Sequence, residues 1–147
     1  HPKEKLVGTR DYPVAMNFDA PSGWTKVHSD VIGELGWRVY FLQWKGADPE
    51  TSAAGWDGDR LTVYEKDGKM LGLAATTWDS EDDAKEFESA YQESLAKRFP
   101  KGAREDGTKT FVKRKGNDVY ILDGASDESM FKLLEKTKKS KNKLDKP

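Results

Sequence analysis

Residues 61–99 read LTVYEKDGKMLGLAATTWDSEDDAKEFESAYQESLAKRF, and this stretch decides the fold class. Two strand-like runs, Leu61 to Glu65 and Met70 to Trp78, are joined through Asp67-Gly68. Asp-Gly between such runs signals a hairpin, because both turn positions tolerate positive φ. Asp79 to Phe99 then reads as a helix capped by Asp79 or Ser80. Acids at 81, 82 and 83 load its positive N-terminal end, and Pro100 with Gly102 stops it. Ala84, Phe87, Tyr91 and Leu95 form its apolar stripe. Downstream, Thr110 to Lys113 and Val119 to Leu122 form a second hairpin through Gly116-Asn117-Asp118. A last helix is expected to open at Ser126 or Asp127 and bury Met130, Phe131, Leu133 and Leu134. The order β-β-α-β-β-α predicts an α+β domain: an antiparallel sheet built from two hairpins, with helices packed on one face.

Upstream of the quoted stretch the pattern is less decisive. Between Asp30 and Lys45, the residues Ile32, Leu35, Val39 and Leu42 follow helical spacing, and Ser29 or Asp30 would cap such a helix. Trp37 and Trp44 would share one of its faces. Val39 to Leu42 alone could also be a buried strand, and Gly33 and Gly36 weaken the helical pattern. Residues 47–55 suggest a short helical turn between Pro49 and Gly55. The whole chain of 147 residues fits one domain, since domains cluster at roughly 100–150 residues. The expected organisation is an extended lead-in over 1–29 with one short strand, Val14 to Phe18, then an α+β domain over 30–139. A basic tail over 140–147 would follow, disordered beyond a lysine-rich helix end.

Composition narrows the chemistry. There is no cysteine, so there is no disulfide, thiolate nucleophile or sulfur-bound zinc. The only histidines are His1 and His28, and His28 has no local partner of the kind a nucleophile–base relay needs. A formal net charge of -1 provides no basic field to hold nucleic acid. No apolar run approaches the ~18 residues that cross a bilayer as a helix. Neither a glycine-rich phosphate loop nor a His-Glu-x-x-His zinc motif occurs. No cofactor, metal site or catalytic residue is therefore expected.

The densest polar cluster is Gly55-Trp56-Asp57-Gly58-Asp59-Arg60. Two carboxylates two residues apart could bind a hard cation, yet the cluster departs from the calcium-loop template. The plainer reading is a turn in which Asp57 or Asp59 accepts from nearby backbone amides and Arg60 pairs with an acid. Tryptophans 24, 37, 44, 56 and 78 could stack on sugars or apolar ligands, or could form much of the core. The candidate functional cluster is Trp56, Asp57, Asp59, Arg60, Trp78 and Asp79.

Several stretches in order also resemble a known family. They are Ile32-Gly33-Glu34-Leu35, Ala53-Ala54-Gly55-Trp56-Asp57-Gly58-Asp59-Arg60, and Thr77-Trp78-Asp79-Ser80 with Asp83-Ala84 and Glu86-Phe87. The opening His1-Pro2-Lys3-Glu4-Lys5 and the later Asp11-Tyr12-Pro13-Val14 resemble a linker of the same family. The chain looks like the C-terminal region of an uncharacterised family of exported bacterial and archaeal metallopeptidase-like proteins. In that family a half bearing a His-Glu-x-x-His helix lies upstream, and its ligands have no counterpart here. The resemblance implies an exported fragment whose partner is the upstream domain of a longer parent, with a non-catalytic scaffold or partner-binding role. The alternative is a small ligand- or glycan-binding module using exposed tryptophans.

Overall fold

The run Met70 to Trp78 is apolar or hydroxylated at nearly every position, which suits a strand covered on both faces. The computed structural model, which describes residues 20–44 and 52–126, places it at the centre of a sheet. Seven elements are described: β1 (Thr25–Asp30), α1 (Gly33–Trp44), β2 (Trp56–Lys66), β3 (Lys69–Trp78), α2 (Glu81–Arg98), β4 (Lys109–Lys115) and β5 (Asp118–Ala125). The strands lie in the order β1-β2-β3-β5-β4, and every neighbouring pair is antiparallel. In β3, Leu71, Leu73, Ala74, Ala75, Thr76 and Trp78 are all buried, so both of its faces are covered.

Local chemistry explains the turns and the second helix. Asp67 and Gly68 take φ of 52° and 81°, the pair of positive values that a two-residue hairpin with the sheet's own twist demands. Ser80 caps α2, its hydroxyl accepting from the Asp83 amide at 3.1 Å. Glu81, Asp82 and Asp83 sit in the first turn and Lys97 and Arg98 in the last, so charge complements the helix dipole at both ends.

Both helices pack on the same face of the sheet. There Trp37 and Phe41 from α1 meet Ala84, Phe87, Ala90 and Tyr91 from α2 over Ala74, Trp78, Val119 and Ile121. Aromatic rings dominate this core: the Phe87 centroid lies 4.5 Å from that of Trp78 and 4.9 Å from that of Trp37. The opposite face carries a second buried cluster of Tyr64, Leu71, Leu73, Ala75, Tyr120, Leu122 and Ala125, against which Ala20, Trp24 and Phe111 pack. The α+β class and the one-sided helices are as the sequence indicates.

Three local expectations change. The segment Thr25–Asp30 forms an exposed edge strand, and α1 begins only at Gly33. The Gly55–Arg60 cluster is not a simple turn, because β2 starts at Trp56 and carries a bulge before Gly58. The helical stripe of α1 is also reversed: Trp37 and Phe41 are buried, while Leu35, Val39 and Leu42 are 65%, 55% and 68% exposed. The wide aromatic side chains bury more area per position than the aliphatic ones, so they win the inward face. The strand Val14–Phe18, most of the turn over 47–55, the last helix beyond Ser126 and the lysine tail lie outside the described residues.

This reversal is measurable. Phe41→Ala is expected to lower stability by about 3–5 kcal/mol through the cavity it leaves. Leu42→Ala in dilute solution should stay within about 0.5 kcal/mol. Urea unfolding of the two variants checks the assignment, and the opposite ranking would reverse the faces of α1.

Candidate functional site around Asp59

Gly55 opens the site by turning the chain with a φ of 82° into β2. Its carbonyl accepts from the Asp79 amide at 2.7 Å, which ties the start of β2 to the loop before α2. A Cβ at this position would come within 2.2 Å of the Asp83 carboxylate, so only glycine fits here. Trp56 then stands opposite Trp78 on the helical face, and Asp57 is the bulged, half-buried residue between the Trp56–Trp78 and Gly58–Thr77 pairs. The bulge realigns the strand so that Asp59, opposite Thr76, points beneath the N-terminus of α1.

Asp59 is 3% exposed and accepts four hydrogen bonds. One carboxylate oxygen takes the Ile32 amide at 2.7 Å. The other takes the Gly33 amide, the Trp37 indole N–H and the Trp56 indole N–H, each at 2.9 Å. An ionised carboxylate offers about four lone-pair sites. Each donor here is neutral, and the positive end of the α1 dipole adds to their effect. The arrangement clamps β2 to α1 and locks two tryptophan rotamers.

The other candidates disperse. Trp78 is buried, donates from its indole to the Thr76 hydroxyl at 2.8 Å, and packs on Phe87. Arg60 registers with Ala75, on the face of the sheet opposite Asp59, and donates to the Ser29 hydroxyl at 3.4 Å. Asp79 is exposed beside the α2 cap. Trp56, Asp59 and Trp78 thus lie on one face, and the amides that Asp59 holds come from Ile32 and Gly33, far away in sequence rather than nearby. His28 lies on the edge strand, 3.8 Å from the exposed Asp30 carboxylate.

A second polar network, not visible in sequence, joins the two helices. The Tyr40 and Ser94 hydroxyls lie 2.5 Å apart, and the Ser94 hydroxyl also donates to the Tyr91 carbonyl. Arg98 donates to the Tyr40 and Tyr91 phenols at 3.0 and 3.3 Å, and its guanidinium stands over the Tyr40, Trp44 and Phe99 rings. Burial, followed by the neighbouring Tyr40, raises the Tyr91 phenol well above its ordinary value of 10. It is consequently neutral at physiological pH and serves as no base. The wide i, i+3 and i, i+7 spacing of Tyr91, Ser94 and Arg98 is the only trace this network leaves in the sequence.

Beside these networks Trp37, Tyr40, Tyr91, Arg104 and Asp123 line an open hollow. Arg104 pairs with Asp123, donates to the Thr110 hydroxyl at 3.3 Å, and stacks over Phe99. Among the described residues no three metal-ligating side chains converge, and no helix is long and apolar enough to cross a membrane.

A family model described as a domain of unknown function (DUF8575) matches residues 21–134, most of the chain, and the chain belongs to that family. No curated protein and no solved structure matches it.

The Asp59 clamp makes a direct prediction. Asp59→Asn replaces an acceptor oxygen by an amide that must face N–H donors, so stability should fall by about 2–3 kcal/mol. Urea unfolding reads the loss, and the Trp37 and Trp56 indole N–H resonances should both shift. Tyr91 makes another. Its folded pKa is raised, so above the ordinary value of 10 the unfolded chain releases a proton that the folded chain keeps. The stability it contributes is therefore full below pH 10 and declines as pH rises toward the folded value. Tyr91→Phe should remove about 1.4 kcal/mol per pH unit from the alkaline slope, measured by denaturation at a series of pH values above 10.

Proposed function

We propose that this domain is non-catalytic and acts as a scaffold or partner-binding region, belonging to the C-terminal part of a longer, exported, metallopeptidase-like protein. The observation that carries the reading is Asp59 itself. Its buried carboxylate is engaged by four internal donors, three on one oxygen and one on the other, which commits it to holding β2 and α1 together. The Gly-Trp-Asp-Gly-Asp-Arg element on which the family resemblance rests supports the same reading, since Gly55, Trp56 and Asp59 all serve the junction between β2 and its helices. The expected partner is the upstream domain of the parent, and a net charge of -1 argues against nucleic acid.

A specific observation also favours a small-ligand module: the hollow on the helical face lined by Trp37, Tyr40 and Tyr91, where the Arg104 Nη1 is buried without a hydrogen bond among the described residues. The rings of Trp37 and Trp78 are buried, which removes their faces from glycan stacking and leaves a small apolar ligand as the favoured occupant.

Incubation of this chain with casein and with chromogenic glycosides tests the first reading. No turnover is expected beyond a buffer control. Turnover abolished by Asp57→Asn with an unchanged unfolding midpoint overturns the non-catalytic reading. Tryptophan emission titrated with a medium-chain fatty acid tests the second, and a flat titration removes it.

A further inference from the structure

Helix α1 is apolar on two opposite faces, and only one of them is used inside the fold. Trp37 and Phe41 are 4% and 0% exposed, and Tyr40 stacks on Tyr91 at 5.2 Å. On the other side Leu35, Val39 and Leu42 are more than half exposed, and Val31, just before the helix, is 48% exposed. At about 100° per residue Leu35, Val39 and Leu42 make one continuous stripe on the helix. A helix that is apolar all round is normally buried all round, and a contiguous exposed apolar patch marks an interaction surface.

We infer that a second copy of this chain covers this stripe, with the two α1 helices packed antiparallel about a two-fold axis between Gly36 and Trp37. The inference rests on the binding role proposed above and assigns this face of α1 to a second copy rather than to the upstream domain. Charge and spacing choose the occupant. Glu34 and Arg38 lie along one flank of the stripe, one turn apart. About that axis Leu35 meets the second copy's Val39, and Glu34 meets its Arg38. Each contact recurs with the copies exchanged, which is the self-complementarity an isologous interface requires. In a parallel pair the two-fold axis runs along the helices and turns this flank away from its counterpart, so Glu34 and Arg38 meet across the interface only in the antiparallel arrangement. The net charge of -1 leaves no general repulsion between copies. The helix has 12 residues, about 18 Å at 1.5 Å per residue, so the contact is short and the association weak and concentration-dependent.

Sedimentation velocity of this chain from about 1 to about 500 µM tests the proposal, a range that spans weak dissociation constants. The weight-average mass should rise toward twice the monomer mass at the upper end. Leu35→Asp, at an exposed site, should hold the chain monomeric throughout with an unchanged circular dichroism spectrum. Glu34→Arg and Arg38→Glu should each weaken association about three- to tenfold, and the double variant should restore it, because two exposed ion pairs are lost and then regained. A monomer at every concentration overturns self-association, as does a dimer that survives Leu35→Asp. So does a double variant no tighter than the singles, since the antiparallel register would then be wrong. None of these results produces hydrolysis sensitive to Asp57→Asn, which is the separate outcome that would overturn the binding role itself.

Discussion

The Asp59 carboxylate holds the helical side of this domain together. A buried charge is costly unless fully hydrogen-bonded, and here the donors come from three places in the chain: the backbone entering α1, the α1 side chain Trp37, and the β2 side chain Trp56. The same contact therefore positions the helix, aims its aromatic face inward and fixes the bulged start of β2. Once Trp37 is held, its ring forms edge contacts with Phe87 and Tyr91, which brings α2 into register. The aromatic core is in this sense organised from a single carboxylate.

What the sequence revealed and what it hid follow from the range of the interactions. The β2–β3 hairpin was legible because Asp67 and Gly68 carry the turn conformation in their own side chains, or lack of one. Helix α2 was legible because its cap, first-turn acids and terminal basic residues all act within a few positions. Asp59 was visible as a candidate but its role was not, since its donors Ile32, Gly33 and Trp37 lie 22 to 27 residues away. Nothing in the spacing of Gly55 to Arg60 shows that Asp59 and Arg60 point to opposite faces until β2 is known to begin at Trp56. A strand alternates its faces, a turn does not, and the difference separates the two side chains.

Helix α1 shows a different kind of ambiguity. Periodicity identifies a face by contrast between apolar and polar positions, and this helix offers little contrast. Its aliphatic positions follow helical spacing as well as its aromatic ones do, so pattern alone gives two equally good inward faces. Ring size and the indole donor of Trp37 decide between them, because only the aromatic face can both fill the space over β3 and reach Asp59. The aliphatic stripe left outside is the face that the proposed self-association would cover.

Placing chemistry and contact on separate parts of the molecule has a consequence for how the domain behaves. Trp56, Asp59 and Trp78 of the sequence cluster are committed to internal bonds, while the outer face of α1 carries aliphatic groups with two charges on its flank. Asp59 nevertheless connects the two, since the carboxylate that anchors the aromatic side of α1 thereby presents its other side outward. Loosening that anchor would free Trp37 and the first turn of α1 from β2. The carboxylate thus fixes the orientation that ring size already favours, and the outer surface keeps its defined shape through the same contact.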